Sequence, residues 1–225
     1  MFRIKVCGVT SPEDAAMATE AGADAVGINF YRESARYVPV PSAAAIVEAI
    51  RGRGTAVAVF VNERPSTIEA ICGELGIAAV QLSGDEPAEV AARIRVPLIR
   101  TVHVGSGSGL DVLPDYPCAA FLIDAAVPGK YGGTGRSLDW NALGRSAGGP
   151  YLRIGGDPSA GPGKPWMLAG GLTPENVAEA IRVSRPFGVD VASGVESAPG
   201  KKDPGKTRAF VENAKKGFGR AGIGR

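Results

Sequence analysis

The chain has 225 residues, 44% of them hydrophobic, and a formal net charge of +2. That suits one domain with a sizeable core, and no apolar run reaches the length of a membrane span. Lys215, Lys216, Arg220 and Arg225 crowd the C-terminus; without them the body is slightly acidic, so neither nucleic acid nor an anionic membrane is an expected partner.

The opening MFRIKVCGVT lacks the apolar stretch of a signal peptide. Three cysteines, Cys7, Cys72 and Cys118, are odd in number and far apart. This points to a cytoplasmic protein with reduced thiols and neither a disulfide framework nor a zinc pattern. A single histidine, His103, excludes any mechanism or metal site that needs two. Acid–base chemistry is left to carboxylates, a thiol, lysine, tyrosine or His103 alone.

In chain order, residues 2–7 read as a short strand ending at Cys7-Gly8. Ser11-Pro12-Glu13-Asp14 supplies an N-cap, a first-position proline and first-turn acids, and Gly22 closes that helix. Further strands are expected at 24–30, 55–61, 78–82, 97–102, 119–124, 166–169 and 188–192. Further helices are expected at 42–51, 65–75, 87–94, 139–145 and 204–215, with one more capped by Thr173 and started by Pro174. The run TAVAVFV at 55–61 is wholly apolar, as a parallel strand covered on both faces requires. Ile68, Ile71, Cys72 and Leu75 share one helical stripe, which makes Cys72 a packing residue. GSGSGL after the fifth strand is too rich in glycine for a good helix. Loop 125–137 carries GKYGGTG. Residues 146–165 are a Gly/Pro/Ser-rich surface excursion with a β-like piece at 151–154. It is expected on the N-terminal face, away from chemistry. Residues 216–225 are expected as a disordered tail.

Eight strand–connection units fit a single (β/α)8 barrel over residues 1–215. An open doubly wound sheet fits less well, because its glycine loop normally follows the first strand. Here the glycine loops come late: Gly170-Gly171 after strand seven and Ser193-Gly194 after strand eight. Loops that expose backbone N–H groups beside helix N-termini hold phosphate, and this is where a barrel of this kind holds it. Without a ligand, the same glycines would be tight turns.

The C-terminal ends of barrel strands face the active site. The polar residues there are Cys7, Asn29, Asn62, Gln81, Ser83, Thr101, His103, Asp124 and the two glycine loops. Cys7 and Asp124 come from different strands and can exchange protons. A thiol lowered in pKa is a base, and a carboxylic acid raised by burial is an acid. The pair suggests proton transfer on a phosphorylated substrate with no metal or cofactor.

The segments IKVCGVT (4–10), AVFV (58–61), VQLSG (80–84), FLID (121–124), GGTGRSLDW (132–140), LAGGLTPENV (168–177) and GVDVASGVESAPGKKD (188–203) resemble, in this order, the phosphoribosylanthranilate isomerases of tryptophan biosynthesis. The resemblance runs from residue 3 to about residue 215. It implies a cofactor-free Amadori rearrangement of N-(5-phosphoribosyl)anthranilate to 1-(o-carboxyphenylamino)-1-deoxyribulose 5-phosphate. Asp124 would protonate the ribose ring oxygen and Cys7 would remove the C2′ proton. Arg36, in SARYV, would bind the anthranilate carboxylate, to which a planar guanidinium is matched. Gln81 and Ser83 would contact the substrate, and Gly170, Gly171, Ser193 and Gly194 would hold its phosphate. Asp190 would either orient the substrate or satisfy buried polar groups.

Two features depart from that pattern. The family usually reads Gln-Leu-His-Gly where this chain has Gln81-Leu82-Ser83-Gly84, which predicts altered affinity with the reaction retained. His103, just past strand five, is expected as an ordinary loop residue; the alternative is that its ring partly fills the space. The second departure is the long 146–165 excursion. Two other functions fit parts of the same pattern. A relative acting on the aminoimidazole carboxamide ribotide of the histidine pathway would have an aspartate where Cys7 stands. A non-catalytic binder of phosphoribosyl ligands would bind without turnover. Whether the chain works as a monomer or a homodimer is not legible in it.

Overall fold

A computed structural model describes residues 2–104, 116–125, 139–147, 149, 151–152 and 163–222. Eight parallel strands close on themselves: β1 Ile4–Cys7, β2 Ala25–Asn29, β3 Thr55–Phe60, β4 Ala79–Leu82, β5 Leu98–Val104, β6 Ala120–Ala125, β7 Lys164–Leu168 and β8 Gly188–Val191. Each pairs with its sequence neighbours, and β8 closes the ring on β1 through Ile4↔Val189, Lys5↔Asp190 and Val6↔Val191. The closed (β/α)8 barrel expected from the strand count is present, and closure leaves no exposed sheet edge.

The described helices are α1 Pro12–Glu20, α2 Val40–Ala49, α3 Pro65–Leu75, α4 Ala88–Ala91, α5 Trp140–Ala147, α6 Val177–Ser184 and α7 Pro204–Arg220. Ser11 caps α1 by accepting the Asp14 N–H, as its sequence predicts, and Gly76 ends α3 in the left-handed conformation. Strand alternation then sorts the side chains. Ile4, Val6, Val26, Ile28, Phe60, Val80 and Leu82 face outward into the layer beneath the helices, where Ile68, Cys72 and Leu75 meet them. Burying a side chain such as Phe60 contributes about 1.5–3 kcal/mol. Burial also pushes the Cys72 thiol up to about 11, so it is an inert packing group. The alternate residues Ala25, Val57, Ala79, Ile99, Ala120, Leu122 and Met167 fill the barrel itself.

Four differences from expectation bear on the packing or the site. β5 continues to Val104, so His103 lies within the strand, paired in register with Asp124. The valines on either side carry the extended conformation past the expected end. α6 begins at Val177, since Asn176 turns back to the loop: its Oδ1 accepts the Thr173 N–H and its Nδ2 donates to the Gly171 carbonyl. Thr173 is therefore not the helix cap. α4 is a single turn. α7 runs past 215 to Arg220, because Gly217 lets it approach Ala178 and Ile181 of α6 closely and Phe218 is buried. The basic residues of the expected tail thus conceal an apolar stripe.

Tyr151–Leu152 pairs antiparallel with Lys164 and Pro165, at the entry to β7, which places this part of the excursion at the N-terminal face. Residues 148, 150 and 153–162 of the excursion, residues 105–115 with the GSGSGL segment, and residues 126–138 with GKYGGTG lie outside the described residues. No described helix is long and apolar enough to cross a membrane.

Candidate active site

The inward-facing positions turn polar toward the C-terminal ends of the strands. Cys7, Arg36, Gln81, Ser83, Asp124 and Asp190 line one cavity of about 600 Å3, open mouth included, together with Asn29, Thr101 and His103. Gly170, Gly171, Ser193 and Gly194 line an adjoining hollow of about 350 Å3 that shares Asp124, Asp190 and Ala192 with the first. The ten residues singled out from the sequence thus converge on one face, although they come from six of the eight strand–loop units. Asn62 does not join them. It is held at φ 54°, its Oδ1 accepts the Asp85 N–H, and its own N–H donates to Glu86.

Cys7 ends β1, two residues after Lys5, so both point inward. The Lys5 ammonium is fully buried and donates to Asp190 Oδ1 at 2.8 Å. Burial alone would lower the pKa of Lys5, but Asp190 and Cys7 outweigh it and the net direction is up. The Cys7 thiol is not lowered as the sequence reading of a base expects: burial pushes it up, and the positive charge of Lys5 opposes that rise without reversing it. On the opposite wall, Gln81 Nε2 donates to Ser83 Oγ (2.9 Å) and Thr101 Oγ1 (3.3 Å). Gln81 Oε1 is buried without a hydrogen-bond partner among the described residues. Such an acceptor is costly until a donor arrives. His103 Nε2 lies 3.2 Å from the Ser83 carbonyl, so its ring lines the cavity directly beside Ser83. It is a strand residue in place of the expected loop residue.

The loops after β7 and β8 fit closely together. Gly170 and Gly171 have φ of 82° and 66°, a left-handed pair that most side chains would resist. A Cβ on Gly194 would stand 1.9 Å from the Leu172 carbonyl oxygen, so only glycine allows this contact between the two loops.

Sequence reasoning assigned no role to three charged residues. Lys5 sits in an otherwise apolar strand on the same face as Cys7, and that alternation was the available signal. Glu196 and Lys202 lie in the 188–203 motif and are buried. Arg36 Nε and Nη2 each donate to one oxygen of Glu196 at 2.7 Å. Lys202 Nζ donates to Glu196 Oε1 (2.9 Å) and to the Cys7 carbonyl (2.6 Å). This pairing comes from tertiary folding, since Arg36 and Glu196 are 160 positions apart.

A thiol, a carboxyl group and a half-buried arginine gathered at the C-terminal mouth of a closed barrel define a (β/α)8-barrel enzyme of the acid–base kind. Comparison with known proteins narrows the class. Residues 4–213 match the family described as N-(5'phosphoribosyl)anthranilate (PRA) isomerase. The N-(5'-phosphoribosyl)anthranilate isomerase of Trichlorobacter lovleyi is 45% identical over 96% of this chain and 98% of its own length. That of Myxococcus xanthus is 47% identical over 95% and 96%. The crystal structure of phosphoribosyl anthranilate isomerase from Thermotoga maritima superposes with a TM-score of 0.79, at 36% identity, over 96% of this chain and all of the other. A phosphoribosyl anthranilate isomerase crystallised with reduced 1-(o-carboxyphenylamino)-1-deoxyribulose 5-phosphate superposes with a TM-score of 0.77, at 35% identity and the same coverage. The chain belongs to the N-(5'-phosphoribosyl)anthranilate isomerase family.

Proposed function

We propose that this isomerase of tryptophan biosynthesis rearranges N-(5-phosphoribosyl)anthranilate with Asp124 as general acid and Cys7 as general base. The observation that carries the assignment is that these two residues, from β6 and β1, line the same cavity. In its protonated form Asp124 donates to the ribose ring oxygen. The C1′–O bond breaks and a Schiff base forms at the anthranilate nitrogen. The Cys7 thiolate then takes the C2′ proton. The electron pair moves through C1′ to neutralise the iminium nitrogen, giving an enolamine that tautomerises to the ketone. Lys5 favours the thiolate electrostatically, and its pairing with Asp190 compensates a carboxylate that would otherwise repel an anionic substrate.

The phosphate belongs in the hollow formed by Gly170, Gly171, Ser193 and Gly194, where two loops present backbone groups next to the cavity. Arg36 then receives the anthranilate carboxylate on the other side of Cys7. Gln81, Ser83 and Asp190 supply polar contacts between these ends, with Gln81 Oε1 accepting from the substrate. The solved relative holding a reduced product analogue supports a ligand of this shape and charge. We place the protein in the cytoplasm, where its three unpaired cysteines would stay reduced.

Complementation of a strain lacking the isomerase, grown without tryptophan, tests the function, and purified enzyme should turn over the anthranilate compound. Turnover only of the imidazole ribotide, or ligand binding without turnover, would overturn it.

A further inference from the structure

The contacts of the hairpin after β8 go beyond those assignments. We infer that Glu196 is a positioning residue that holds Arg36 as a ready receptor for the substrate carboxylate. This rests on the reading of Arg36 given above and specifies what fixes that side chain before substrate arrives.

Arg36 lies in the loop between β2 and α2, where a long side chain on a polar loop would ordinarily keep its rotamer freedom. Here it has none to spare. Its stem crosses the backbone just after Cys7: a Cβ on Gly8 would stand 2.3 Å from Arg36 Cδ, and Gly8 has a φ of +70°. Its Nε and Nη2 form a fork on the two oxygens of Glu196. Glu196 is itself fixed. It is 8% exposed and belongs to a two-stranded hairpin in which Glu196 pairs with Lys202. Lys202 Nζ, also buried, spends its three donors on Glu196 Oε1, the Cys7 carbonyl and the Ala192 carbonyl. The ends of β1 and β8 therefore hold Lys202, Lys202 holds Glu196, and Glu196 holds Arg36.

A guanidinium has two forks. Glu196 takes the Nε–Nη2 edge. The Nη1–Nη2 edge of a side chain that also lines the cavity is left for a second carboxylate. Charge points the same way. The cluster of Arg36, Lys202 and Glu196 has two cations and one anion, and burial makes an unbalanced charge costly. A carboxylate on the second fork balances it. Fixing Arg36 in the unliganded protein also removes ordering cost from the binding step.

The test compares N-(5-phosphoribosyl)anthranilate with the corresponding aniline compound, which lacks only the carboxylate. Both are assayed with the parent enzyme, Arg36→Met, Glu196→Gln and the double variant. Glu196→Gln should raise KM for the anthranilate compound about tenfold or more, with kcat nearly unchanged, as loss of ground-state binding requires. The aniline compound should not respond, and in the Arg36→Met background Glu196→Gln should add nothing to KM. Equal loss on both substrates, or a fall in kcat alone, would make Glu196 merely structural and overturn the proposal. If Arg36→Met affects both substrates equally, Arg36 does not bind the carboxylate, and the proposal falls with that reading. Should Glu196→Gln not fold, Glu196→Asp carries the same comparison, because its shorter reach cannot hold both Lys202 and the fork. An unchanged KM in a folded variant overturns the proposal.

Discussion

The Lys5 ammonium lies 2.8 Å from Asp190 Oδ1 beneath the cavity, and the lysine is fully buried two residues before Cys7. A buried pair contributes little net stability when intact, but removing one partner strands a charge. Lys5→Met should therefore lower stability by about 3–5 kcal/mol, and Lys5→Met/Asp190→Asn should recover part of it. Chemical denaturation measures both. A double variant no more stable than Lys5→Met alone would mean that the pair is not what Lys5 contributes.

Replacing the proposed proton carriers should separate chemistry from binding. Cys7→Ala and Asp124→Asn should each lower kcat by about 100-fold or more. Affinity for a reduced product analogue, measured by calorimetry, should change little. Near-normal turnover in either variant would remove that residue from the mechanism.

The direction of the Cys7 shift predicts a pH profile. Burial pushes this thiol above its ordinary value of 9.0, with Lys5 opposing the rise and Asp190 adding to it. In the unliganded enzyme at neutral pH the thiol form dominates. The value of kcat/KM should then climb about tenfold per pH unit on its alkaline-rising limb, and level off only above 9.0. Stability follows the opposite sign. Between the unfolded and the raised folded pKa the native state binds more protons, so stability contributed by the neutral thiol is lost as pH rises through that window. Cys7→Ser should abolish the stability change. A profile with no alkaline-rising limb would show that Cys7 is not the base.

Most of the architecture was legible because it depends on local signals. Strand alternation, proline starts and glycine stops are written within a few residues of each other, and they place Cys7, Gln81 and Asp124 on one face. What escaped depends on partners far along the chain. Thr173-Pro174 has the local chemistry of a helix start, yet Asn176 reaches back to Thr173 and Gly171 and delays α6 to Val177. His103 looked like a loop residue because glycines follow it, while its pairing with Asp124 in the neighbouring strand keeps it extended and in the cavity. Glu196 and Lys202 carry no local signal of a role, because their partner Arg36 lies some 160 positions away. Only closure of β8 against β1 brings them beneath Arg36.

Acid should weaken the same brace. Burial alone would raise the Glu196 carboxyl, but the bonds from Arg36 and Lys202 hold it below its ordinary 4.5. A lowered folded-state value contributes stability that is complete above the unfolded pKa and is lost as pH falls through the folded one. Unfolding free energy should thus fall more steeply below pH 4.5 in the parent than in Glu196→Gln. Parallel acid limbs would show that this carboxylate has no such linkage.

Gly194 offers the sharpest test of the proposed phosphate hollow. A Cβ there would stand 1.9 Å from the Leu172 carbonyl oxygen, a backbone atom that can yield only if the loop after β7 moves away from the loop after β8. Both loops line the hollow, so Gly194→Ala should open it and misdirect its donors. We expect KM to rise about tenfold or more, since binding of the remote phosphate is lost, and inhibition by inorganic phosphate to weaken in step. Gly73→Ala is the control. Gly73 lies on the exposed face of α3, where an added Cβ meets nothing within 4 Å. That change should leave both constants alone and stabilise the helix by about 0.5–1 kcal/mol. If Gly194→Ala raises KM while inhibition by phosphate is unchanged, the phosphate is bound elsewhere on the barrel mouth.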